Sequence, residues 1–317
     1  MHSRIAVLAV LAFLAAASTA LGAGPSYVSL GGLGAIAPDA KTRYVAVSGT
    51  SDTTIERVRV SDGSVLTWTT LDGIWGIPAP TVSPTGGEGV TRDGKKLVVA
   101  SAGGGWPTRF AVLDARSMRT VDHFDLDGSF SYDAMSPDGS TLYLVQHVDQ
   151  EDVARYVVRA YDMNSHRLLP GRIADKTQQN WVMEGSPVAR ASSGDGRWVY
   201  TMYQRPGGYP FVHALDTVAG VAHCTGLPWK GDQAALANVR LTVGADGKTL
   251  AMRWRDGRPW LTMDTATWQL THAAPGAWFP WRWVAAVAGA ATVLVLVAAV
   301  ALFGRRRRPR EVASVPL

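Results

Sequence analysis

Short alternating hydrophobic segments, each preceded by a tight turn, recur along most of the chain. The clearest copy is Ser136 to Val145, where Pro-Asp-Gly, a tight-turn signal, precedes the alternating run Leu-Tyr-Leu-Val. Similar turn signals recur, with their aspartates 45 to 57 positions apart, at Asp39, Asp93, Asp138, Asp195 and Asp246. A hydrophobic run follows each turn, so the pattern predicts five copies of one β-rich unit.

A second feature repeats in step with the first. In each unit an alternating segment ends in a second aspartate and a turn, 18 to 24 residues after the first aspartate, at Asp62, Asp114, Asp162, Asp216 and Asp264. Each unit therefore supplies four short strands, a to d, with no amphipathic helix, which is typical of a β-propeller blade. We predict an all-β fold, a β-propeller of about five four-stranded blades. A sixth blade is possible in 71–87 or 171–185, and segment 27–30 could pair with the last blade to close the ring.

The repeat unit resembles the YVTN/WD40-like bacterial propeller repeats. Ser136 to Val145 matches their S-P-D-G-x-x-L-Y-V consensus closely, and the other four copies keep the aspartate and the hydrophobic alternation. The resemblance covers roughly residues 26 to 272. It implies a propeller that works outside the cytoplasm. It implies no particular activity, because such propellers serve as enzymes, binding modules and scaffolds alike.

Both ends of the chain have the features of membrane targeting. The N-terminal residues combine a basic start, an apolar stretch and small residues before Ala20 and Ala23, as a cleaved signal peptide does. Near the other end, 21 uncharged residues are enough to cross a bilayer, and five arginines follow them. The positive-inside rule predicts a single-pass protein of the cell membrane with its N-terminal domain extracytoplasmic. The expected segments are a signal peptide (1–23), the propeller (24–275), a linker (276–282), a transmembrane helix (283–303) and a basic cytoplasmic tail (304–317).

The net positive charge of the chain comes from its two ends. The net charge is +5, but Arg4, Arg282 and the tail contribute +6 of it, so the exported body carries about −1. No nucleic-acid partner is therefore expected, although an arginine run alone would allow one. Cys224 is the only cysteine. The body must rely on its own core rather than on disulfides, and Cys224 is predicted to be a small buried apolar residue.

Aromatic loops mark one predicted face of the propeller. The b–c and d–a loops meet there, and the candidate ligand-binding residues in them are Trp106, Trp181, Tyr209 and Trp229, with Trp75 in the same class of loop. Aromatic residues on a rigid rim suit recognition of a protein or a glycan. The alternative is that individual tryptophans fill gaps between blades. The expected partners are an envelope protein or a glycan, with the membrane reached through the C-terminal helix.

Charged residues recur on predicted strand a, which lines the propeller axis. Glu88, Asp133 and Arg190 stand five residues before their turn aspartates, and Arg240 is one step from the equivalent position. If the repeats superpose, two carboxylates and two guanidiniums converge near the axis. They then form either a ligand site or structural ion pairs between blades.

No established catalytic or metal motif accompanies these charges. The sequence has no nucleophile elbow, phosphate loop or HExxH helix, and the acidic loop 147–152 does not follow EF-hand spacing. We predict no cofactor and no metal site, and the chain is not expected to be an enzyme. The favoured interpretation is a membrane-anchored, non-catalytic recognition or scaffold propeller. The alternative is a hydrolase or lyase, lactonase-like, that uses the axial charged cluster.

Overall fold

A computed structural model describes residues 28–81, 88–102, 106–178, 180–205 and 207–272. A short strand, β1 (Val28–Ser29), comes first. The first sheet follows, with strands β2 (Ala35–Ile36), β3 (Thr42–Ser48), β4 (Asp52–Arg59) and β5 (Val65–Asp72). The second has β6 (Trp75–Pro78), β7 (Lys96–Ser101), β8 (Thr108–Asp114) and β9 (Thr120–Leu126). The third has β10 (Ser129–Met135), β11 (Thr141–His147), β12 (Arg155–Asp162) and β13 (Arg167–Leu168), and β14 (Met183–Glu184) also pairs with β12.

Two further sheets complete the described chain. The fourth sheet has β15 (Ser186–Ser192), β16 (Trp198–Gln204), β17 (Phe211–Asp216) and β18 (Val221–Gly226). A 3-10 helix, Gln233–Asn238, leads into the fifth sheet, with β19 (Val239–Val243), β20 (Thr249–Trp254), β21 (Pro259–Asp264) and β22 (Leu270–His272). In every sheet the four strands pair antiparallel in chain order, as strands a to d. The predicted all-β fold of about five four-stranded units is confirmed, and the described residues contain no sixth sheet.

The first strand among the described residues, β1, joins the second sheet. β1 pairs antiparallel with β6, which places Val28 opposite Pro78. Gly76 allows this close approach, because a Cβ atom there would lie 2.6 Å from the Cβ atom of Val28. The prediction that segment 27–30 pairs with the last blade is therefore wrong, since its backbone partners belong to the second sheet.

The repeated aspartates close the turns between strands. Each first aspartate accepts a hydrogen bond from the backbone N–H two residues later, at 2.9–3.0 Å, in Asp39, Asp93, Asp138, Asp195 and Asp246. The second aspartate of each unit does the same in the c–d turn. These are Asx turns. The prediction that Asp138 bonds the local backbone is confirmed, and the repeat signal is a turn signal.

Asp138→Ala is expected to lower the free energy of unfolding by about 1 kcal/mol, the scale of one lost side-chain hydrogen bond. The alanine cannot accept from the Ser140 N–H at 3.0 Å or from the Ser136 hydroxyl at 2.6 Å. Denaturant titration measures the loss. Asp246→Ala is the milder control, because Asp246 accepts only the exposed Lys248 N–H. An unchanged midpoint for Asp138→Ala would contradict a structural role.

Apolar clusters join each sheet to the next. Tyr44 and Leu97 share a cluster between the first and second sheets, and Val212 and Leu250 share one between the fourth and fifth. Equivalent tyrosines add a hydrogen bond across two of these junctions. The Tyr44 hydroxyl donates to the Ala115 carbonyl, and the Tyr143 hydroxyl to the Thr217 carbonyl, both at 2.9 Å. The sheets therefore pack face to face in chain order.

The predicted membrane-targeting segments lie outside the described residues. These are the signal peptide 1–23, the linker 276–282, the transmembrane helix 283–303 and the tail 304–317. Within the ranges that the structure does describe, no helix is long and apolar enough to span a membrane.

Candidate functional site

Three of the four predicted axial residues meet at the guanidinium of Arg190. Its Nε donates to Glu88 Oε1 at 2.7 Å, and its Nη1 donates to Asp133 Oδ1 at 3.0 Å. The Arg190 side chain is 4% exposed and that of Asp133 is 3% exposed, whereas that of Glu88 is 33% exposed. Asp133 and Arg190 lie on the inner strands of the third and fourth sheets, and Glu88 lies between β6 and β7 of the second. Ion pairs between sheets, one of the two predicted alternatives, are thus present.

Further contacts hold the Arg190 side chain in place. Its guanidinium also donates to the Thr201 hydroxyl and to the Asp133 carbonyl. Burial alone would lower the pKa of Arg190, but the charges of Glu88 and Asp133 more than offset it, so the pKa is raised. Asp133 Oδ2 is buried, and no group among the described residues hydrogen-bonds to it. Arg190 is therefore a fixed cation, with one oxygen of each carboxylate committed to it.

The fourth predicted axial residue points elsewhere. Arg240 Nη1 donates to the carbonyls of Ala237 and Val239, at 3.1 and 2.9 Å. Residues 233–238 form the 3-10 helix immediately before the inner strand of the fifth sheet, and the helix end supplies carbonyls to this arginine. The predicted convergence of a second guanidinium is therefore not observed.

A cavity of about 290 Å³ lies at the ends of the inner strands, and we call it the central funnel. Residues of four sheets line it, including Ile36, Val90, Tyr132 and Met135, together with Val199 on the second strand of the fourth sheet. Glu88 and Arg92 are its charged lining residues among those described. The funnel opens among the a–b turns, at the end of the strands opposite the b–c loops.

A second cavity, the rim groove, lies on the face that carries the b–c loops. It measures about 190 Å³ and is lined by Gln178, Trp181, Glu184, Arg205 and Tyr209, among others. Trp181 is 61% exposed and Tyr209 is 71% exposed. Trp106, on the same class of loop, is 59% exposed, and its indole N–H donates to Asp127 Oδ1. The predicted aromatic face therefore carries three exposed rings, two of which flank one groove.

Polar groups also line the rim groove. Arg205 Nη2 and Glu184 Oε2 are 3.2 Å apart, and each side chain is 44% exposed. Cys224 also lines the groove and is partly exposed, in contrast to the predicted buried position. Its sulfur lies 3.4 Å from Nδ1 of His213, and burial raises the pKa of the Cys224 thiol to about 12. The thiol is therefore neutral at physiological pH, so it contributes contact surface and not an anionic nucleophile.

The two remaining predicted tryptophans are structural. Trp229 packs against Trp254 and Trp260, with ring centroids 5.5 and 5.4 Å apart. Trp75 is 8% exposed, and the Arg109 guanidinium carbon lies 5.3 Å from the centroid of its ring. For these two residues, the gap-filling alternative describes the structure better than ligand binding.

The acidic b–c loop is organised by its own backbone. Asp149 accepts from the N–H groups of Glu151 and Asp152 and pairs with Arg155 at 2.7 Å. His147 is buried, and its Nε2 lies 2.9 Å from the Ser131 hydroxyl. Across the described ranges, no group of three His, Cys, Asp or Glu side chains is placed to hold a metal ion.

Comparison with known proteins gives matches to solved structures only. No family model and no curated protein matches the sequence. TolB from Acinetobacter baumannii is 17% identical with a TM-score of 0.41, and the match covers 74% of this chain and 54% of the TolB chain. Hydrazine synthase from Kuenenia stuttgartiensis is 17% identical (TM-score 0.42, 80% of each chain), and the Dos1 propeller is 10% identical (TM-score 0.46, 76% of this chain and 57% of that one). The three proteins differ in kind, and at this level of similarity they carry no argument about the activity of this chain.

Proposed function

We propose that this protein is a non-catalytic recognition module, an extracytoplasmic propeller anchored in the membrane by its C-terminal segment. Its binding surface is the rim groove, and its partner is an envelope protein or a glycan. The observation that carries the proposal is the exposure of Trp181 and Tyr209 on either side of one groove. Large aromatic side chains kept in water beside a concave polar surface are typical of recognition sites.

The polar groups of the groove support recognition of a polar partner. Gln178 and the Glu184–Arg205 pair supply donors and acceptors alongside two rings that can stack on a sugar face or a peptide side chain. Catalysis by the axial cluster is less well supported, because Arg190 engages both Glu88 and Asp133 and the latter is inaccessible. A lactonase-like enzyme would need those carboxylates free to reach a substrate.

Trp181→Ala and Tyr209→Ala are each expected to weaken partner binding at least tenfold, as the loss of an aromatic anchor does. Binding is measured by probing glycan arrays and immobilised envelope proteins with the full-length protein in detergent. Trp68→Ala is the matched control, because Trp68 is 62% exposed but lies on the outer strand of the first sheet. Equal losses in all three variants, or none in the two groove variants, would refute the rim groove as the binding surface.

The proposed topology makes a separate prediction. Protease added to intact cells is expected to digest residues 28–272, because an exported body lies on the outer side of the membrane. An epitope tag after Leu317 should survive in a short membrane-bound fragment. The measurement is immunoblotting of both ends, with a cytoplasmic protein as the control for cell integrity. Full protection of the body would contradict the topology.

A further inference from the structure

The central funnel lies at the opposite end of the inner strands from the rim groove. Strand β15 connects the two, since it begins two residues after Glu184 in the groove and ends at Ser192 in the funnel. About half of the lining surface is apolar, with Ile36 57% exposed, and the Glu88 carboxylate is 33% exposed beside Arg190. A ligand in this funnel would therefore meet apolar walls and a carboxylate next to the buried ion pairs.

The charges around the funnel do not cancel at its floor. The four a–b turns at its mouth, 37–41, 92–95, 136–140 and 193–197, contain four aspartates and four basic residues (Asp39, Asp93, Asp138 and Asp195; Lys41, Arg92, Lys95 and Arg197). At the floor, the lining residue Glu88 pairs with Arg190, which also pairs with Asp133 behind the lining, so two carboxylates share one guanidinium among the described residues of this cluster. Burial, and after it the charge of Glu88, raise the pKa of Tyr132, which lines the same cavity. The mouth is thus close to neutral and the floor is negative.

We propose that the central funnel binds a lysine or arginine side chain presented by a peptide or protein partner. Such a side chain has an apolar stem and one positive charge at its tip. The stem matches the walls formed by Ile36, Val90 and Met135, and the tip matches the carboxylate of Glu88. A cation beside Glu88 would also lie away from bulk water. Its attraction to the carboxylate would therefore be less screened than in solution.

The size of the cavity favours one inserted side chain. About 290 Å³ is at the lower end of the range for small-molecule pockets, so it holds a side chain and not a folded segment. Arg92 is exposed at the mouth, where it opposes an incoming cation. Glu88 and Arg92 are therefore expected to have opposite effects on the binding of a cation. The proposal concerns a different face from the rim groove and does not depend on the proposed function of that groove.

The test is calorimetric titration of the full-length protein in detergent with acetyl-arginine amide and acetyl-lysine amide. Acetyl-citrulline amide, which is neutral and nearly isosteric with the arginine probe, is expected to bind at least tenfold more weakly. Glu88→Gln should weaken binding of both cations about tenfold, and its amide oxygen can still accept from Arg190. Arg92→Gln should strengthen binding, because it removes a like charge from the mouth. Trp181→Ala, in the other cavity, should leave these affinities unchanged.

Several results would overturn the proposal. Equal binding of the citrulline and arginine probes, or no binding of any of them, would exclude a cation site. Weaker binding in Arg92→Gln together with unchanged binding in Glu88→Gln would show that Glu88 does not hold the bound cation. Binding of free agmatine without binding of the blocked arginine would indicate a small diffusible amine, not a peptide. Thermal melts of both variants must match the parent protein, and Arg92→Gln keeps the test decisive if Glu88→Gln fails to fold.

Discussion

Replacing Arg190 by Met is expected to destabilise the protein by about 3–5 kcal/mol, the range found when one partner of a buried ion pair is removed. Asp133 is 3% exposed, and its buried carboxylate would be left without its ion-pair partner. The Thr201 hydroxyl and the Asp133 carbonyl would lose a donor as well. Denaturant unfolding followed by tryptophan fluorescence measures the loss.

Arg240→Met is the matched control for this prediction. Arg240 lies on the inner strand of the fifth sheet, but it donates only to two backbone carbonyls and has no ion-pair partner among the described residues. We expect a loss of about 1 kcal/mol. The double variant Asp133→Asn/Arg190→Met should recover part of the stability lost in Arg190→Met, because the unpaired carboxylate is gone. Equal losses in the two single arginine variants would show that the ion pairs at Arg190 do not stabilise the fold.

Acid is expected to unfold the protein as the pH falls from about 4 to about 2. Hydrogen bonds from the backbone N–H groups of Ser64 and Lys95 hold the pKa values of Asp62 and Asp93 at about 2, below the ordinary 3.8. Hydrogen bonds from backbone N–H groups likewise lower the pKa values of Asp114, Asp162 and Asp264. The Ser136 hydroxyl makes the largest contribution to the lowered pKa of Asp138. The effect is large because many sites titrate together.

The sign of the acid effect follows from the lowered pKa values. A group whose pKa is lower in the folded state stabilises the fold fully above the unfolded value of 3.8 and loses this contribution as the pH falls through the folded value. Melting temperatures measured from pH 7 to pH 2 should therefore drop steeply only below about pH 4. Asp93→Asn keeps an oxygen acceptor but cannot titrate, so it should melt lower at pH 7 and show a flatter pH profile. A melting temperature that is the same at pH 7 and pH 3 would refute the prediction.

Local sequence signals were sufficient to predict the repeated architecture. Asp138 and its counterparts mark turns because an Asx turn needs only one aspartate and a backbone N–H two residues later. The hydrophobic run behind each turn forms a strand whose apolar face packs on the next sheet, as in Leu97 and Leu142. The meeting of Glu88, Asp133 and Arg190 could also be predicted, since equivalent positions of one repeat occupy equivalent places around a shared centre.

Contacts that break the repeat could not be predicted in the same way. Arg240 takes one partner from a 3-10 helix and the other from the residue that follows it, and the described residues of the other four units contain no such helix, so superposing the repeats misplaces Arg240. The pair Glu184–Arg205 in the rim groove joins the short strand β14 to the loop after β16, and no spacing in the sequence connects them. The exposure of Trp181 and the burial of Trp75 likewise depend on the neighbouring sheet. The residue type alone does not indicate which of these two tryptophans is exposed.

The pairing of β1 with β6 also has a consequence for the order of folding. Val28 and Pro78 are partners separated by 50 positions, and the whole first sheet lies between them in the chain. Local hairpins close before such distant contacts, because the entropy lost on closing a loop rises with its length. Because the chain is synthesised from its N-terminus, β1 has no partner strand until the first sheet and then β6 have been made. The inner edge of the second sheet is completed only when this earliest segment returns to it, so the N-terminal strand is expected to be among the last strands to dock.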